Sequence, residues 1–293
     1  MPIPYEFEYF KPSSLSEALE LLGRHGTKAR ILAGGTDLIN ELKLGYRVPE
    51  VIIDIKGLKD LSNIEVSEGY LHLGALVTFT EIRESKQVKE HAYILYEAAG
   101  LVASGGVRNR ATMVGNICSA VACLDSAAPL LVHDAVVQLH GADGVRSVPI
   151  HQWFVDNRKT AIAPGELVTR VSIPLPKAKC GSAYQKMMRY SGEDLSQANV
   201  GVLLYADGDC RLAFGSVGPI PKRSLKIENH LRTHGLSSIS IAEAKDMIEQ
   251  VIAPITDQRA TREYRMHMTK VMFERAIATA ADRLKVPKLI TKL

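Results

Sequence analysis

A short apolar run that ends in two adjacent glycines constrains the first part of this chain more than any other feature. The segment is RILAGGTDLIN, residues 30–40. Glycine costs backbone entropy and packs no side chain, so a pair of glycines at the end of a strand needs a physical reason. Two reasons are open: the turn is unusually tight, or a molecule outside the chain lies against the backbone.

The residues around this turn predict a small strand–helix–strand unit. A helix is predicted over residues 14–24, because its first residue is a serine that can form a capping box with Glu17 and its apolar residues recur at helical spacing. Short apolar runs at residues 29–32 and 51–55 predict buried strands. We therefore expect a first sub-domain over residues 1–57, with the glycine turn at a strand end.

A strand that leads through glycines into a helix is a general arrangement for binding anions. Thr36 or Asp37 can open a short helix through Lys43, with backbone N–H groups pointing outward and a hydroxyl beside them. The segment has neither the Gly-Lys-Ser/Thr of a Walker loop nor the Gly-x-Gly-x-x-Gly of the dinucleotide fingerprint. By itself it therefore favours a tight turn over a ligand site.

A second sub-domain is predicted over residues 58–176. Its predicted elements are, in order, a strand at 70–76, a helix opened by Thr78 or Thr80, a helix at 91–103, and strands at 132–139 and 168–173. The long loop ATMVGNICSAVACLDSAAP, residues 111–129, is rich in small and polar residues. Loops of this length in compact domains are usually functional. Two such loops on separate sub-domains could hold one long ligand, with its pyrophosphate against both.

Pro174 and Pro176 mark the boundary to a third region, residues 177–293. There NVGVLLYA and RLAFGSVG predict antiparallel strands, and residues 239–251 and 261–284 predict helices. The expected apolar side of the last helix carries Tyr264, Met268, Val271, Met272 and Ile277.

Charge and cysteine content exclude several functions. Lys plus Arg is 36 and Asp plus Glu is 32, a net charge of +4 without a basic block, which argues against nucleic acid as a partner. No apolar run reaches the ~20 residues of a membrane span, and the N-terminus lacks the pattern of a signal peptide. Only Cys118 and Cys123 lie close in sequence, so we expect a cytoplasmic chain with reduced thiols and no metal site.

Several motifs together resemble the FAD-binding subunits of the xanthine dehydrogenase and carbon monoxide dehydrogenase family of molybdenum hydroxylases. They are ILAGGTDL, VRNRATMVGNI and DSAAP, supported by the opening Y-x-x-P-x-S-L-x-E-A and by VIIDI, ELVTRVSIP and GSAYQKMMR. The resemblance covers nearly the whole chain, and the pattern is most similar to the FAD-binding subunits of bacterial xanthine dehydrogenases.

This resemblance implies an α+β fold of the PCMH type: two small α/β sub-domains that hold FAD between them, then a C-terminal antiparallel sheet with a helical bundle. It implies that the first loop wraps the FAD pyrophosphate through Leu32, Ala33, Gly34, Gly35, Thr36, Asp37 and Leu38. It implies further cofactor contacts from Val102, Thr112, Gly115, Asn116, Ser119, Asp125, Leu167, Val168, Gln185 and Lys186. The family usually has I-G-G-N where this chain has M-V-G-N, so Val114 adds a side chain to the second loop.

The function implied by the resemblance is electron transfer. Electrons would pass from two-iron two-sulfur clusters on a partner subunit through FAD to NAD⁺ or another acceptor. A further partner would hold the molybdenum pterin, in a dimer of heterotrimers that oxidises xanthine, another purine or another N-heterocycle, or alternatively carbon monoxide or an aldehyde. No catalytic residue is predicted on this chain, because flavin chemistry belongs to the cofactor.

Two other classes of function stay open from the sequence. The chain could be a stand-alone flavin oxidoreductase with its own substrate pocket, or a non-enzymatic nucleotide-binding or scaffold module whose glycine loops are only turns. Asp125 could be the cap of a helix in SAAPLL instead of a cofactor ligand. Tyr190, in the segment 189–197, could cover the flavin or lie in a solvated loop.

Overall fold

The computed structural model describes residues 2–190 and 192–285 of the chain. These residues form three sheets and a two-stranded ribbon with helices packed around them, which confirms the predicted α+β class. Residue 191, in the predicted flavin cover, and residues 286–293 of the predicted third domain lie outside the described residues. Among the described helices, every one is too short or too polar to cross a membrane.

The N-terminal residues build a parallel sheet with the strand order β1-β3-β2. Its elements are β1 (Glu8–Phe10), α1 (Leu15–His25), a 3₁₀ turn (Gly26–Lys28), β2 (Ala29–Leu32), α2 (Leu38–Lys43) and β3 (Val51–Asp54). Both predicted strands are confirmed, and the glycine turn follows β2 directly. All four residues of β3 are buried, as expected for the central strand of a covered parallel sheet.

The predicted capping of the two helices in this unit is wrong in detail. Ser14 caps α1, but the Glu17 carboxylate accepts a hydrogen bond from the Ser13 amide at 2.7 Å, one residue earlier than a capping box requires. No side chain caps α2, and Asp37 already has helical backbone angles. The amide of Ile39 bonds instead to the carbonyl of Gly35, so the glycine turn itself supplies the first helical acceptor.

The second unit is an antiparallel sheet with the order β4-β5-β10-β6-β7. Its strands are β4 (Ile64–Ser67), β5 (Tyr70–Gly74), β6 (Val136–Gly141), β7 (Gly144–Pro149) and β10 (Leu167–Pro174), with a ribbon of β8 (Phe154–Asp156) and β9 (Lys159–Thr160). Its helices are α3 (Phe79–Glu84), α4 (Lys86–His91), α5 (Tyr93–Gly100), α6 (Gly105–Arg108), α7 (Met113–Ser119), α8 (Ala127–Val132) and α9 (Ile150–Trp153), with a 3₁₀ turn at Lys59–Ser62. Thr78 opens α3 in a complete capping box, as one of the two predicted threonines.

Two predicted elements of this unit have different limits. The strand predicted at 132–139 begins only at Val136, because residues 127–132 form α8 and Asp134 between them has a left-handed backbone with φ of 53°. The helix predicted at 91–103 is α5 alone, since His91 ends the preceding α4. Short apolar runs do not distinguish a buried helix from a strand, and this explains the first error.

The third unit is an antiparallel sheet with the order β11-β12-β13-β14. Its elements are β11 (Cys180–Met187), β12 (Ala198–Tyr205), β13 (Cys210–Gly215), β14 (Lys222–Arg223), α10 (Leu225–His234), α11 (Ser238–Met247), a 3₁₀ turn (Ile248–Gln250) and α12 (Arg262–Leu284). The two predicted strands are confirmed as β12 and β13, and the two predicted helices as α11 with its 3₁₀ turn and α12.

The buried face of α12 differs from the predicted one. Tyr264 is exposed, whereas Arg265 and Thr269 are buried beside Met272 and Ile277. The Arg265 guanidinium bonds to the carbonyl of Gln197 at 2.6 Å, so a polar side chain takes the inward position. Met268 and Val271 are only half-buried, which leaves the real face rotated from the apolar pattern.

The apolar cores show how these units are connected. One core runs continuously through the first two units and reaches Tyr184, Leu203 and Ala213 of the third. A second core lies inside the third unit, between its sheet and its helices. The continuous core fixes the first two units against each other, and the ends of their strands and loops are left to enclose a cavity between them.

Candidate functional site

A cavity of about 870 Å³ lies between the first and second units, and residues 193–195 of the third unit complete its wall. The loop after β2 lines it from one side, and the loop that contains α7 lines it from the other. Its volume lies within the ~300–1,000 Å³ of most small-molecule and cofactor pockets. The structure therefore brings the two small-residue loops to one site.

Most of the predicted site residues line this cavity: Ala33, Gly34, Gly35, Thr36, Asp37, Leu38, Val102, Thr112, Gly115, Asn116, Ser119, Asp125, Leu167 and Val168. Leu32 is 9% exposed and packs with Leu42 and Ile52 in a small core beneath the first loop. Gln185 and Lys186 lie on β11 outside the lining, although Lys186 reaches the site through Asp125.

Close contacts and backbone angles within the chain explain why both positions of the first loop are glycine. A Cβ atom at Gly34 would lie 2.0 Å from the carbonyl oxygen of Arg110, so a side chain there would separate the two loops. Gly35 has φ of 78°, a left-handed conformation that residues with a side chain rarely adopt. A Cβ at Gly35 would point towards Leu32 and Ile39, not into the cavity. The turn is therefore tight for internal reasons, and the ligand argument rests on the lining.

Hydrogen bonds inside the second loop fix its polar residues. Thr112 caps α7 and accepts from the amide of Gly115 at 3.0 Å, and a Cβ at position 115 would lie only 2.7 Å from that hydroxyl. The Asn116 side-chain oxygen accepts from Ser126 at 2.7 Å, and the Asn116 carbonyl accepts from Ser119 at 2.8 Å. Val114 is buried in the main core, so the unusual residue of this loop packs inward while still bordering the cavity.

Asp125 is part of a buried ion pair, and the alternative that it caps a helix is wrong. Its carboxylate accepts from the Tyr184 hydroxyl at 2.7 Å and from the Lys186 ammonium at 2.8 Å, while α8 begins after Ser126 without a side-chain cap. Lys186 also donates to the carbonyl of Leu101 at 2.8 Å. Burial raises the pKa of Asp125, and the neighbouring Lys186 and Tyr184 oppose that shift.

The segment between β9 and β10, residues 161–166, forms one wall of the cavity. The Glu166 carboxylate accepts from both Nε and Nη2 of Arg146, and from the amide of Ala163 at 2.6 Å. Arg146 also donates to the carbonyl of Ala161 at 2.9 Å. Leu167 and Val168 continue this wall as buried apolar residues at the start of β10.

Charged residues that the sequence did not indicate also line the cavity, among them Arg30, Glu41, Arg47 and Arg158. Glu41 pairs with both Arg47 and Arg158. Among the described residues no carboxylate lies within ion-pair distance of Arg30, and burial lowers the pKa of its guanidinium, with the Arg47 charge adding to the effect. Arg158 lies 117 positions from Glu41, and no local spacing identifies the group as a whole.

The predicted flavin cover has a fixed anchor. Arg189 donates to the Asp194 carboxylate from its amide at 2.9 Å and from its guanidinium at 3.3 Å. Tyr190 is 56% exposed and is absent from the cavity lining, whereas Glu193, Asp194 and Leu195 belong to it. The segment thus contributes through its second half.

The lining has the chemistry that a flavin dinucleotide requires. Hydroxyl and amide groups from Thr36, Thr112 and Asn116 can bind phosphate and ribose oxygens, and the Arg30 guanidinium, which no carboxylate of the described residues pairs with, can balance part of the charge of a pyrophosphate. Val102, Leu167 and Val168 supply an apolar surface for a ring system. The residues present therefore fit FAD.

Comparison with protein families agrees with this chemistry. A family described as the FAD binding domain in molybdopterin dehydrogenase matches residues 5–176. A second, the CO dehydrogenase flavoprotein C-terminal domain, matches residues 182–280.

Individual relatives are similar over almost the whole chain. The xanthine dehydrogenase FAD-binding subunit of Escherichia coli O157:H7 is 32% identical, with 94% of this chain and 98% of the relative covered. The carbon monoxide dehydrogenase medium chain of Afipia carboxidovorans is 31% identical, with 97% and 99% covered. A solved structure of carbon monoxide dehydrogenase from Hydrogenophaga pseudoflava superposes with a TM-score of 0.92 at 31% identity, with 96% of this chain and 99% of that chain covered. The chain therefore belongs to the FAD-binding oxidoreductase subunits of the molybdenum hydroxylase family.

Proposed function

We propose that this chain is the electron-transfer subunit of a multi-subunit molybdenum hydroxylase, and that it carries FAD in the cavity between its first two units. Electrons enter from iron–sulfur clusters of a partner subunit and leave to NAD⁺ or another acceptor. The observation that carries the proposal is that both small-residue loops line one cavity, together with polar groups that can bind phosphate and an apolar wall.

The two loops bind the pyrophosphate and ribose in this proposal. Ala33 to Leu38 and the residues Thr112, Gly115, Asn116 and Ser119 supply backbone and side-chain donors, while Leu32 supports the first loop from beneath. The close contact between Gly34 and the Arg110 carbonyl keeps the loops together. In this proposal the two loops therefore hold the cofactor in a fixed position for electron transfer.

In this proposal Asp125 and the apolar residues of the cavity wall would hold the flavin ring. FAD supplies the redox chemistry when bound, accepting electrons singly and donating a pair. Asp125 offers the ring edge a carboxylate whose charge Lys186 balances, and Lys186 and Gln185 lie on the strand behind it. Val102, Leu167 and Val168 exclude water from the ring faces.

The proposed partners are an iron–sulfur subunit and a molybdenum cofactor subunit, assembled as a dimer of heterotrimers. The names of the relatives support a multi-subunit enzyme, since they are a FAD-binding subunit and a medium chain. Xanthine or another N-heterocycle is the proposed substrate of the complex, and a further relative, the nicotinate dehydrogenase FAD-subunit of Eubacterium barkeri at 29% identity, agrees with that class.

The purified chain tests this function directly. We expect one FAD per chain, no oxidation of purines or aldehydes by this chain alone, and reduction of its flavin by NADH if NAD⁺ is the acceptor. A folded chain without flavin would contradict the proposal. Reduction by a low-potential dye but not by NADH would contradict only NAD⁺ as acceptor.

A further inference from the structure

Arg158 connects the helices that belong to the two loops of the cavity. It lies in the turn between β8 and β9, and its amide donates to the carbonyl of Ala120, directly after α7, at 2.8 Å. Its guanidinium donates to Glu41 on α2 at 2.5 Å. One residue therefore joins the helix that follows the first loop to the helix of the second loop.

Glu41 is the centre of this connection. Its side chain is 14% exposed, and its second carboxylate oxygen accepts from Nε of Arg47 at 2.5 Å. One carboxylate between two guanidinium groups leaves one net positive charge on the cavity wall. A charge that is largely removed from solvent and paired on both oxygens holds its position better than an exposed pair does.

The backbone around Arg158 has an unusual conformation that this connection maintains. Arg158 has φ of 59° and Ala120 has φ of 46°, both in the left-handed region without being glycine. Such a conformation is unfavourable for a residue with a side chain, and it persists where surrounding contacts determine it. The hydrogen bond between these two residues and the pair with Glu41 are those contacts.

The loops consequently meet at two places. Gly34 packs against the Arg110 carbonyl at the start of the two loops. Glu41 of α2 pairs with Arg158, whose amide bonds to Ala120 directly after α7. At Asp37 in the first loop, burial raises the pKa, the Ser119 hydroxyl lowers it, and the charges of Glu41 and Arg158 act in opposite directions. The Arg158 charge therefore also reaches the first loop itself.

We propose that Glu41 and Arg158 are positioning residues that hold the two loops at the spacing a bound pyrophosphate requires. The proposal rests on the function proposed above and extends it to two residues that act through the loops. Neither residue has to contact the cofactor. Breaking their pair separates the ends of α2 and α7 and weakens FAD binding.

Three variants test this proposal: Glu41→Gln, Arg158→Gln and Arg158→Lys. FAD affinity and the FAD dissociation rate are measured by flavin fluorescence, and the melting temperature is measured on the flavin-free chain. We expect each glutamine variant to bind FAD about tenfold more weakly, and Arg158→Lys to fall between them and the wild type because lysine lacks the planar fork. The double variant Glu41→Gln with Arg158→Gln should bind FAD no more weakly than the weaker of the two single variants, because both substitutions remove the same Glu41–Arg158 pair.

The melting temperature separates positioning from folding. The Arg158 side chain is half exposed, so its pair with Glu41 contributes little to global stability, and the flavin-free variants should melt within about 2–4 °C of the wild type. Glu274→Gln is the matched control, since it breaks the Lys245–Glu274 pair of 2.7 Å in the third unit, away from the cavity. It should leave FAD affinity unchanged.

Normal FAD affinity in both Glu41→Gln and Arg158→Gln would overturn the inference while the proposed function stands. A double variant whose loss equals the product of the two single losses would also overturn it, because the residues would then act independently. If Arg158→Gln fails to fold, Glu41→Gln and Arg158→Lys decide by the same criterion. A folded wild-type chain that binds no FAD would overturn the proposed function as well.

Discussion

The ammonium of Lys186 lies 2.8 Å from the carboxylate of Asp125, and both side chains are almost completely buried, at 1% and 9% exposure. The lysine is on the sheet of the third unit, and the aspartate lies in the second loop of the cavity. This buried pair, completed by the Tyr184 hydroxyl, ties the cofactor site to the C-terminal sheet. Changes at either residue should therefore affect folding as well as flavin binding.

Replacing Asp125 by alanine should destabilise the flavin-free chain by about 3–5 kcal/mol, because it leaves the Lys186 ammonium buried without its counter-charge. Urea unfolding followed by the fluorescence of Trp153, the only tryptophan of the chain, measures this loss. The double variant Asp125→Leu with Lys186→Met should recover most of the stability, since no buried charge remains. A loss near 1 kcal/mol for Asp125→Ala, with no recovery in the double variant, would contradict the importance of the pair.

The glycines of the first loop should differ in how strongly they control flavin content. Gly34→Ala should prevent FAD binding, because its Cβ would meet the Arg110 carbonyl at 2.0 Å and separate the loops. Gly35→Ala should weaken binding less, through the cost of about 1–2 kcal/mol for a left-handed alanine. The measurement is the amount of flavin bound per folded chain for each variant, with circular dichroism as the check on folding.

Gly45→Ala is the control for these two variants. Gly45 has φ of 70°, yet no atom lies within 4 Å of its Cβ position and it is not part of the cavity lining. The Gly45→Ala chain should be less stable than the wild type but should keep its full flavin content. Full flavin occupancy in a folded Gly34→Ala chain would show that the loops do not need this contact.

Local patterns were sufficient to predict much of this fold. A capping threonine at Thr78 or Thr80, the strand that precedes the glycines, and the strands β12 and β13 were all evident from spacing and alternation. The limits of α8 and β6 were not, because an apolar run before a left-handed Asp134 fits either element. The prediction of the buried face of α12 was also wrong, because the long-range hydrogen bonds of Arg265 outweigh the apolar periodicity of the sequence.

The candidate site, like the fold, could be predicted only in part from the sequence. Its two loops could be found, because small residues and glycines cluster within a few positions of each other. The charged residues of the wall could not, since Arg158 pairs with Glu41 across 117 positions and Arg146 with Glu166 across 20. Pairs of this kind depend on how the units pack, which no local spacing records. The role of Asp125 was ambiguous for the same reason.

The wall at residues 161–166 should control how fast the flavin leaves. Glu166→Gln removes the charge that holds this wall through Arg146 and should raise the FAD dissociation rate roughly fivefold, as expected for a partly exposed pair worth about 1 kcal/mol. Hydrogen bonding to Arg146 lowers the pKa of Glu166 below its ordinary 4.5. The wild-type wall should therefore stay intact above that pH and loosen as the pH falls below it.

The control for this wall is Glu249→Gln, which breaks the exposed pair with Lys270 in the third unit. FAD should dissociate from the Glu249→Gln chain at the same rate as from the wild type at every pH. If Glu166→Gln also keeps the wild-type rate, the ion pair does not hold the wall.

His133 should govern the acid stability of the chain. It is buried after α8 with Nε2 unpaired among the described residues, and burial, with the charge of Arg211 adding to it, lowers its pKa from 6.5 to about 4. The unfolded chain therefore binds a proton at a pH where the folded chain does not, so stability should decrease as the pH falls from about 6.5 towards 4. The difference of about 2.5 pH units corresponds to at most about 3 kcal/mol. Urea unfolding at several pH values measures how the free energy of unfolding changes with pH. His133→Leu should flatten this dependence, whereas His151→Gln, at an exposed histidine, should not. An equal pH dependence in the wild type and in His133→Leu would show that another group controls the stability at acid pH.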